Sequence, residues 1–208
     1  MKLSLPSAAV VNKFIPKSKF LNQSFVNTKL KQEVVDQIQK ISWKYKIAED
    51  TVGIAKTAAV EEIQVFELEL KKQLLPKKVI KLIQRSIPYP ILFVLTYKDQ
   101  TAYAIVLDTV DNKYEYYIDW DTPIDITFTG SNLEKVYTNV VESFITSIST
   151  SDRPFTEVIA LDLKIKQLCK DVERFESKIR KEKQFNKKVA LNQELLNLKK
   201  ELLELQKA

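Results

Sequence analysis

Ile91-Leu-Phe-Val-Leu-Thr-Tyr97, then Lys98-Asp-Gln100, then Thr101-Ala-Tyr-Ala-Ile-Val-Leu-Asp108, is the stretch that decides the class of this chain. The first run is apolar, rich in β-branched and aromatic residues and too short for a core helix, which predicts a buried strand over Ile91–Tyr97. Asp99-Gln100 supplies turn chemistry, and Ala102–Asp108 returns as the second arm of a hairpin. Lys113–Trp120 and Ile124–Phe128 continue the pattern, with turns at Asp111-Asn112 and Asp121-Thr-Pro123. The simplest arrangement is an antiparallel meander of about four strands.

Helices flank this meander. Upstream, Glu61–Leu70 alternates as a strand, and Pro76 then stands in a first helical turn. Val79, Ile80, Ile83 and Ile87 line one face of that helix until Pro88 stops it. Earlier still, Asn27 or Thr28 can cap a helix in which Leu30, Val34, Ile38, Ile41 and Tyr45 recur at helical spacing. The first 26 residues read as irregular, with short extended pieces. Downstream, Gly130 ends the sheet and Ser131-Asn-Leu-Glu134 matches a capping box. The helix it opens carries Leu133, Val136, Tyr137, Val140, Val141, Phe144 and Ile148 and is expected to cover the sheet. Thr146–Asp152, closed by Arg153-Pro154, reads as a linker.

The fold class is therefore α+β: a small, mostly antiparallel sheet covered by helices over residues 1–153, then a helical hairpin or coiled coil over 154–208. In that second part Ile165, Leu168, Val172, Phe175 and Ile179 are spaced 3, 4, 3, 4, the a/d seam of a packed helix. Leu191, Leu195, Leu198, Leu202 and Leu205 form a second seam. The twelve residues from Ile179 to Leu191 break phase, so one straight helix would aim the two stripes in different directions. A turn near Lys183–Lys187 brings them face to face, and one long helix with a stutter is the alternative. These ten residues are the expected partner-binding surface, closing on each other or on a second protein.

Composition narrows the chemistry. The whole chain holds two glycines, Gly53 and Gly130, which leaves no phosphate-cradling glycine loop. It holds no histidine, removing imidazole acid–base catalysis and the commonest metal ligand. One cysteine, Cys169, excludes an internal disulfide and fits a reducing, cytoplasmic setting. No apolar run is long enough to span a bilayer, so no membrane association is expected. No cofactor is predicted. Net charge is +6, distributed as +7 over residues 1–48, −6 over 49–160 and +5 over 161–208. Basic ends around an acidic middle allow contact with DNA or an acidic protein. The plainer reading is solubilising lysine, because Lys outnumbers Arg 29 to 4 and direct base reading favours Arg.

Three residue groups carry candidate chemistry, each with a plainer explanation. Glu67-Leu-Glu69-Leu-Lys71 on a strand resembles the short acid-spacer-lysine pattern of Mg²⁺-dependent nucleases of the restriction-enzyme-like fold. That pattern also needs an acid on a neighbouring strand, and Asp50 is the nearest upstream candidate, in a loop. The plainer explanation is an edge strand wearing charges on its solvent face, since such a triplet arises often by chance in so charged a chain. Asp119, Asp121 and Asp125 around Trp120 could gather a divalent ion, but lack the glycine and terminal Glu of a calcium loop and suit turns. Trp43, Trp120, Tyr114, Tyr116 and Tyr117 could stack on a single strand or simply fill the core.

Ile63-Gln-Val-Phe-Glu67, Ile87-Pro-Tyr-Pro-Ile-Leu-Phe93 and Lys183-Gln-Phe-Asn-Lys-Lys-Val-Ala-Leu-Asn192, in that order, resemble a bacterial family labelled domain of unknown function 4391. Ile15-Pro-Lys-Ser-Lys-Phe20 and Ile41-Ser-Trp43 are also similar to it, so the likeness runs through nearly the whole chain. The resemblance implies a methylase-associated protein found with DNA methyltransferases and helicases of restriction or phage-defence systems. It implies no catalytic residues. The leading expectation is a non-catalytic accessory protein whose partner is a methyltransferase, a helicase or a second copy of itself. The alternatives are a divergent nuclease using Glu67, Glu69 and Lys71, or a salt-sensitive DNA-binding module.

Overall fold

A computed structural model describes residues 5–108, 113–146, 148 and 153–207. The chain divides into two compact units, Met1–Phe144 and Ile145–Ala208. The expected linker Thr146–Asp152 and the Asp111-Asn112 turn lie mostly or wholly outside the described residues.

The first unit is built on one six-stranded sheet whose spatial order follows the sequence: β1 (Val10–Phe14), β2 (Ile38–Ala48), β3 (Glu62–Leu70), β4 (Ile91–Tyr97), β5 (Gln100–Asp108) and β6 (Lys113–Ile118). A 3₁₀ turn, Ser7–Ala9, precedes β1. The helices are α1 (Ser18–Leu21), α2 (Thr28–Gln37), α3 (Glu49–Val52), α4 (Lys77–Arg85) and α5 (Leu133–Glu142). This is the expected α+β class. The expected antiparallel meander holds over β4, β5 and β6, while β3, which precedes it, runs parallel to β4 with Phe66 beside Phe93. A parallel step needs a crossover, and α4 provides it.

The predicted helix over Leu30–Tyr45 is half right. Asn27 caps it, its side-chain oxygen accepting from Leu30 N at 2.9 Å, but α2 ends at Gln37 and β2 begins at the next residue. Ile38 and Ile41 are three apart, yet both are fully buried on one face of the sheet. The register slips between Ile38 and Lys40, and again between Trp43 and Tyr45. Such bulges insert an extra residue and turn a spacing of two into three, which imitates a helical stripe.

Ile124–Phe128 is not a strand. Asp121 adopts φ 53°, its N–H donates to Thr101 O at 2.8 Å, and its carboxylate accepts from Thr101 N at 3.1 Å. These bonds pin the chain across the start of β5 instead of letting it pair beside β6. At α5 the cap is Asn132, accepting from Lys135 N at 2.8 Å, one residue past the expected Ser131.

Packing follows the alternation. One sheet face presents Ile41, Phe66, Leu68, Phe93, Leu95 and Ala104 to Val34 of α2 and to Val79, Ile80 and Ile83 of α4, all buried. At roughly 1.5–3 kcal/mol for each fully buried large apolar side chain, this layer is the main stabilising term of the unit. α5 rests on β3 and buries Leu133, Val136, Val140 and Val141. Gly130 approaches that helix so closely that a Cβ would lie 2.8 Å from Val136 N.

The second unit is a helical pair, α6 (Phe155–Lys181) and α7 (Phe185–Lys207), packed against each other. A three-residue break separates them where a hairpin turn was expected, slightly earlier than Lys183–Lys187. Among the described residues no helix is long and apolar enough to cross a membrane.

Candidate functional site

Glu67, Glu69 and Lys71 share β3 but are not gathered around a common point. Glu67 pairs with Lys44 of β2 at 3.4 Å, and Glu69 is exposed. Lys71 turns away, its Nζ donating to Val35 O at 2.8 Å. The neighbouring positions on β2 opposite Glu67 and Glu69 are Ser42 and Lys40, where the nuclease pattern calls for an acid. Asp50 lies in α3, beyond the far end of β2, and accepts from Lys46 Nζ at 2.9 Å. That hydrogen bond holds the Asp50 carboxyl below its ordinary range and raises the Lys46 ammonium. Among the described residues no three of Asp, Glu and Cys lie close enough to hold a metal ion.

Asp119, Asp121, Trp43, Trp120, Tyr116 and Tyr117 are engaged within the fold. Asp121 holds Gln100 Nε2 at 2.9 Å as well as the Thr101 amide, and Asp119 accepts from Trp120 N at 2.8 Å. Trp43 stacks on Phe66 with ring centroids 6.4 Å apart, and its indole N–H donates to Tyr45 O. Tyr117 and Trp120 pack against the core, and Tyr116 is buried. A polar cleft of about 340 Å³ beside α3 is lined by Lys46, Asp50, Glu61, Glu62 and Tyr89. Three of its charges are joined: Lys46 binds Asp50 and lies 3.9 Å from Glu62, which accepts from Gln64 Nε2.

The helical pair holds the surface that is left over. Of the ten seam residues, Ile165, Leu168 and Leu195 are buried and Val172, Phe175, Ile179, Leu191, Leu198, Leu202 and Leu205 are half-buried. None faces open solvent. Lys164–Glu201 at 2.8 Å and Lys199–Glu176 at 2.7 Å tie the two helices from opposite directions. The Lys199 bond holds the Glu176 carboxyl below its usual range. Cys169 is a half-buried free thiol.

Outside the seam, α7 carries a second apolar line: Val189, Leu196 and Leu203 at 51, 60 and 52 % exposure. Their spacing of seven places them on one face, and the seam of the same helix lies on another. The doublets Leu195-Leu196 and Leu202-Leu203 show the split, the first member of each turned in and the second out. Sequence reasoning assigned α7 one stripe and missed this line, for which the leucine doublets were the available signal.

The profile of the family described as a domain of unknown function, DUF4391, matches residues 3–202. The chain belongs to the DUF4391 family. The match runs through both units, so the sheet and the helical pair alike are part of the DUF4391 domain. No curated protein and no solved structure matches the chain.

Proposed function

We propose that this DUF4391 protein is a cytoplasmic, non-catalytic accessory protein that docks on a DNA methyltransferase or helicase of a restriction or phage-defence system. The observation that carries this reading is the exposed line Val189, Leu196 and Leu203 on a helix whose other apolar face is already packed. The ten seam residues hold α6 and α7 in register, and the outer line is then a straight, rigid apolar edge for a partner helix or groove. Three half-exposed aliphatic residues in register are more than helix stability needs, since they contribute little to the pair itself. Structural partners for Glu67, Lys71, Asp50 and Asp121, with Glu69 exposed and Lys40 rather than an acid opposite it on β2, favour the non-catalytic role over the nuclease.

The test is co-expression of the tagged chain with a DNA methyltransferase and a helicase encoded near its gene, followed by capture and sizing. The wild-type chain is expected to retain one of them, and Leu196→Lys with Leu203→Lys to lose it while keeping full helical content. Capture that survives both substitutions, or capture of neither enzyme, rejects the reading. Self-association by sizing, with no enzyme retained, also rejects it and leaves a second copy of the chain as the occupant.

A further inference from the structure

The turn between α6 and α7 gathers cations from both helix ends. Lys178, Arg180, Lys181, Lys183, Lys187 and Lys188 fall within eleven residues, and Glu182 is the one acid among them. That acid is committed to the turn itself, its Oε1 accepting from Lys183 N and Gln184 N at 2.8 Å each. The Gln184 N–H holds the carboxyl below its ordinary range. The cations on both helix ends therefore keep most of their field.

Two further features sit at the same tip. A groove of about 500 Å³ is lined by Lys178, Lys181, Glu182, Lys187, Ala190 and Leu191. Phe185, the first residue of α7, is 78 % exposed, the most exposed large apolar side chain described. A phenyl ring left in water at the end of a helical pair gains nothing from the pair's own packing.

We propose that this tip binds single-stranded nucleic acid, the ammonium and guanidinium groups tracking successive phosphates while Phe185 stacks on an unpaired base. Every base has a π face, so one exposed ring suits any unstacked strand. The two helix ends stand roughly 8–10 Å apart, which spreads the cations over more than one nucleotide. In a duplex the base faces are already stacked and closed to the ring. An anionic membrane is less well matched, because interfacial binding draws on a broad apolar face and the tip offers a single ring. This site uses other side chains than the outer line of α7, so it stands or falls apart from the protein-docking reading.

The experiment is fluorescence anisotropy with the full chain and a labelled oligothymidylate, beside a duplex of equal length and phosphatidylserine vesicles. The single strand is expected to bind more tightly than the duplex or vesicles. Phe185→Ala weakens it by about tenfold with little change in salt dependence. Lys187→Ala with Lys188→Ala lowers the slope of log affinity against log salt by about 1.4. Phe185→Trp restores or exceeds wild-type affinity. Unchanged affinity in Phe185→Ala, an unchanged salt slope in the lysine variant, or equal binding to duplex or vesicles overturns the proposal.

Discussion

The ammonium of Lys71 stands 2.8 Å from the carbonyl oxygen of Val35, and the Lys71 amide donates to Gln37 O at 2.9 Å. Both acceptors belong to the last turn of α2, whose carbonyls have no partner within the helix. Lys17 completes the clamp by donating its Nζ to Ile38 O at 2.5 Å. A glycine in a left-handed conformation commonly closes a helix. This chain has none there, and two lysines close it instead, at the negative end of the helix dipole.

Lys71→Met is therefore expected to lower stability by about 1 kcal/mol in chemical denaturation, given a partly solvated charge at a helix end. Burial and, secondarily, the nearby charge of Lys71 hold the Lys17 amine below its ordinary pKa. The same substitution should accordingly move Lys17 upward in an NMR titration. A stability-neutral variant with an unmoved Lys17 would show that the clamp does not form in solution.

Asp121 is the turn lock at the start of β5, with two acceptors used and a positive φ. Asp121→Ala is expected to cost about 1 kcal/mol, and Asp121→Asn less, since the amide oxygen still accepts and Asn tolerates the left-handed region. Calcium should stabilise none of the three proteins in thermal denaturation. A calcium-dependent shift in wild type alone would return Asp119, Asp121 and Asp125 to the role of ligands.

The two glycines should fail for different reasons. Gly53 closes α3 at φ 69° with open space around it, so Gly53→Ala strains only the backbone, by about 1 kcal/mol. Gly130→Ala drives a Cβ against Val136 N of α5 and should cost about 1–3 kcal/mol through displacement of the helix. Paired denaturation curves test the order, and equal costs would contradict it.

Burial pushes the Tyr117 phenol up to about 12, while its O–H donates to Glu115 at 2.9 Å. In the unfolded chain this group ionises near the ordinary value of about 10. The folded state therefore holds an extra proton between those two values, and its stability falls as pH rises through that window. Ultraviolet titration should show a late-ionising tyrosine that Tyr117→Phe removes. Its persistence in that variant would assign the signal to another ring.

Legibility in the sequence followed how local the determining physics was. Ile91–Tyr97 and its return strand were readable because apolar composition, length and a nearby turn signal agree within one hairpin, although the turn is Lys98-Asp99 and Gln100 already pairs with Tyr97. Ile38 and Ile41 were misread because bulges in β2, forced by pairing with β3, gave strand residues the spacing of a helix. Ile124–Phe128 has strand-like composition, but the Asp121–Thr101 bonds decide its path and join residues 20 apart. The parallel β3–β4 step depends on where α4 lands, which no window of sequence reports. The α6–α7 seams were legible from phase alone. The outer line of α7 was not, because a leucine doublet does not say which member faces the neighbour.

α2 runs into β2 with no connecting residue, so the two share one rigid frame. A one-residue slip of β2 along β3 would exchange its two faces and carry the attached α2 with it. Val34 would then leave the core together with Ile41, and misregistered pairing would be penalised in both layers at once. The joint thereby couples strand alignment to helix placement, so that burial on α2 and burial on β2 favour the same register.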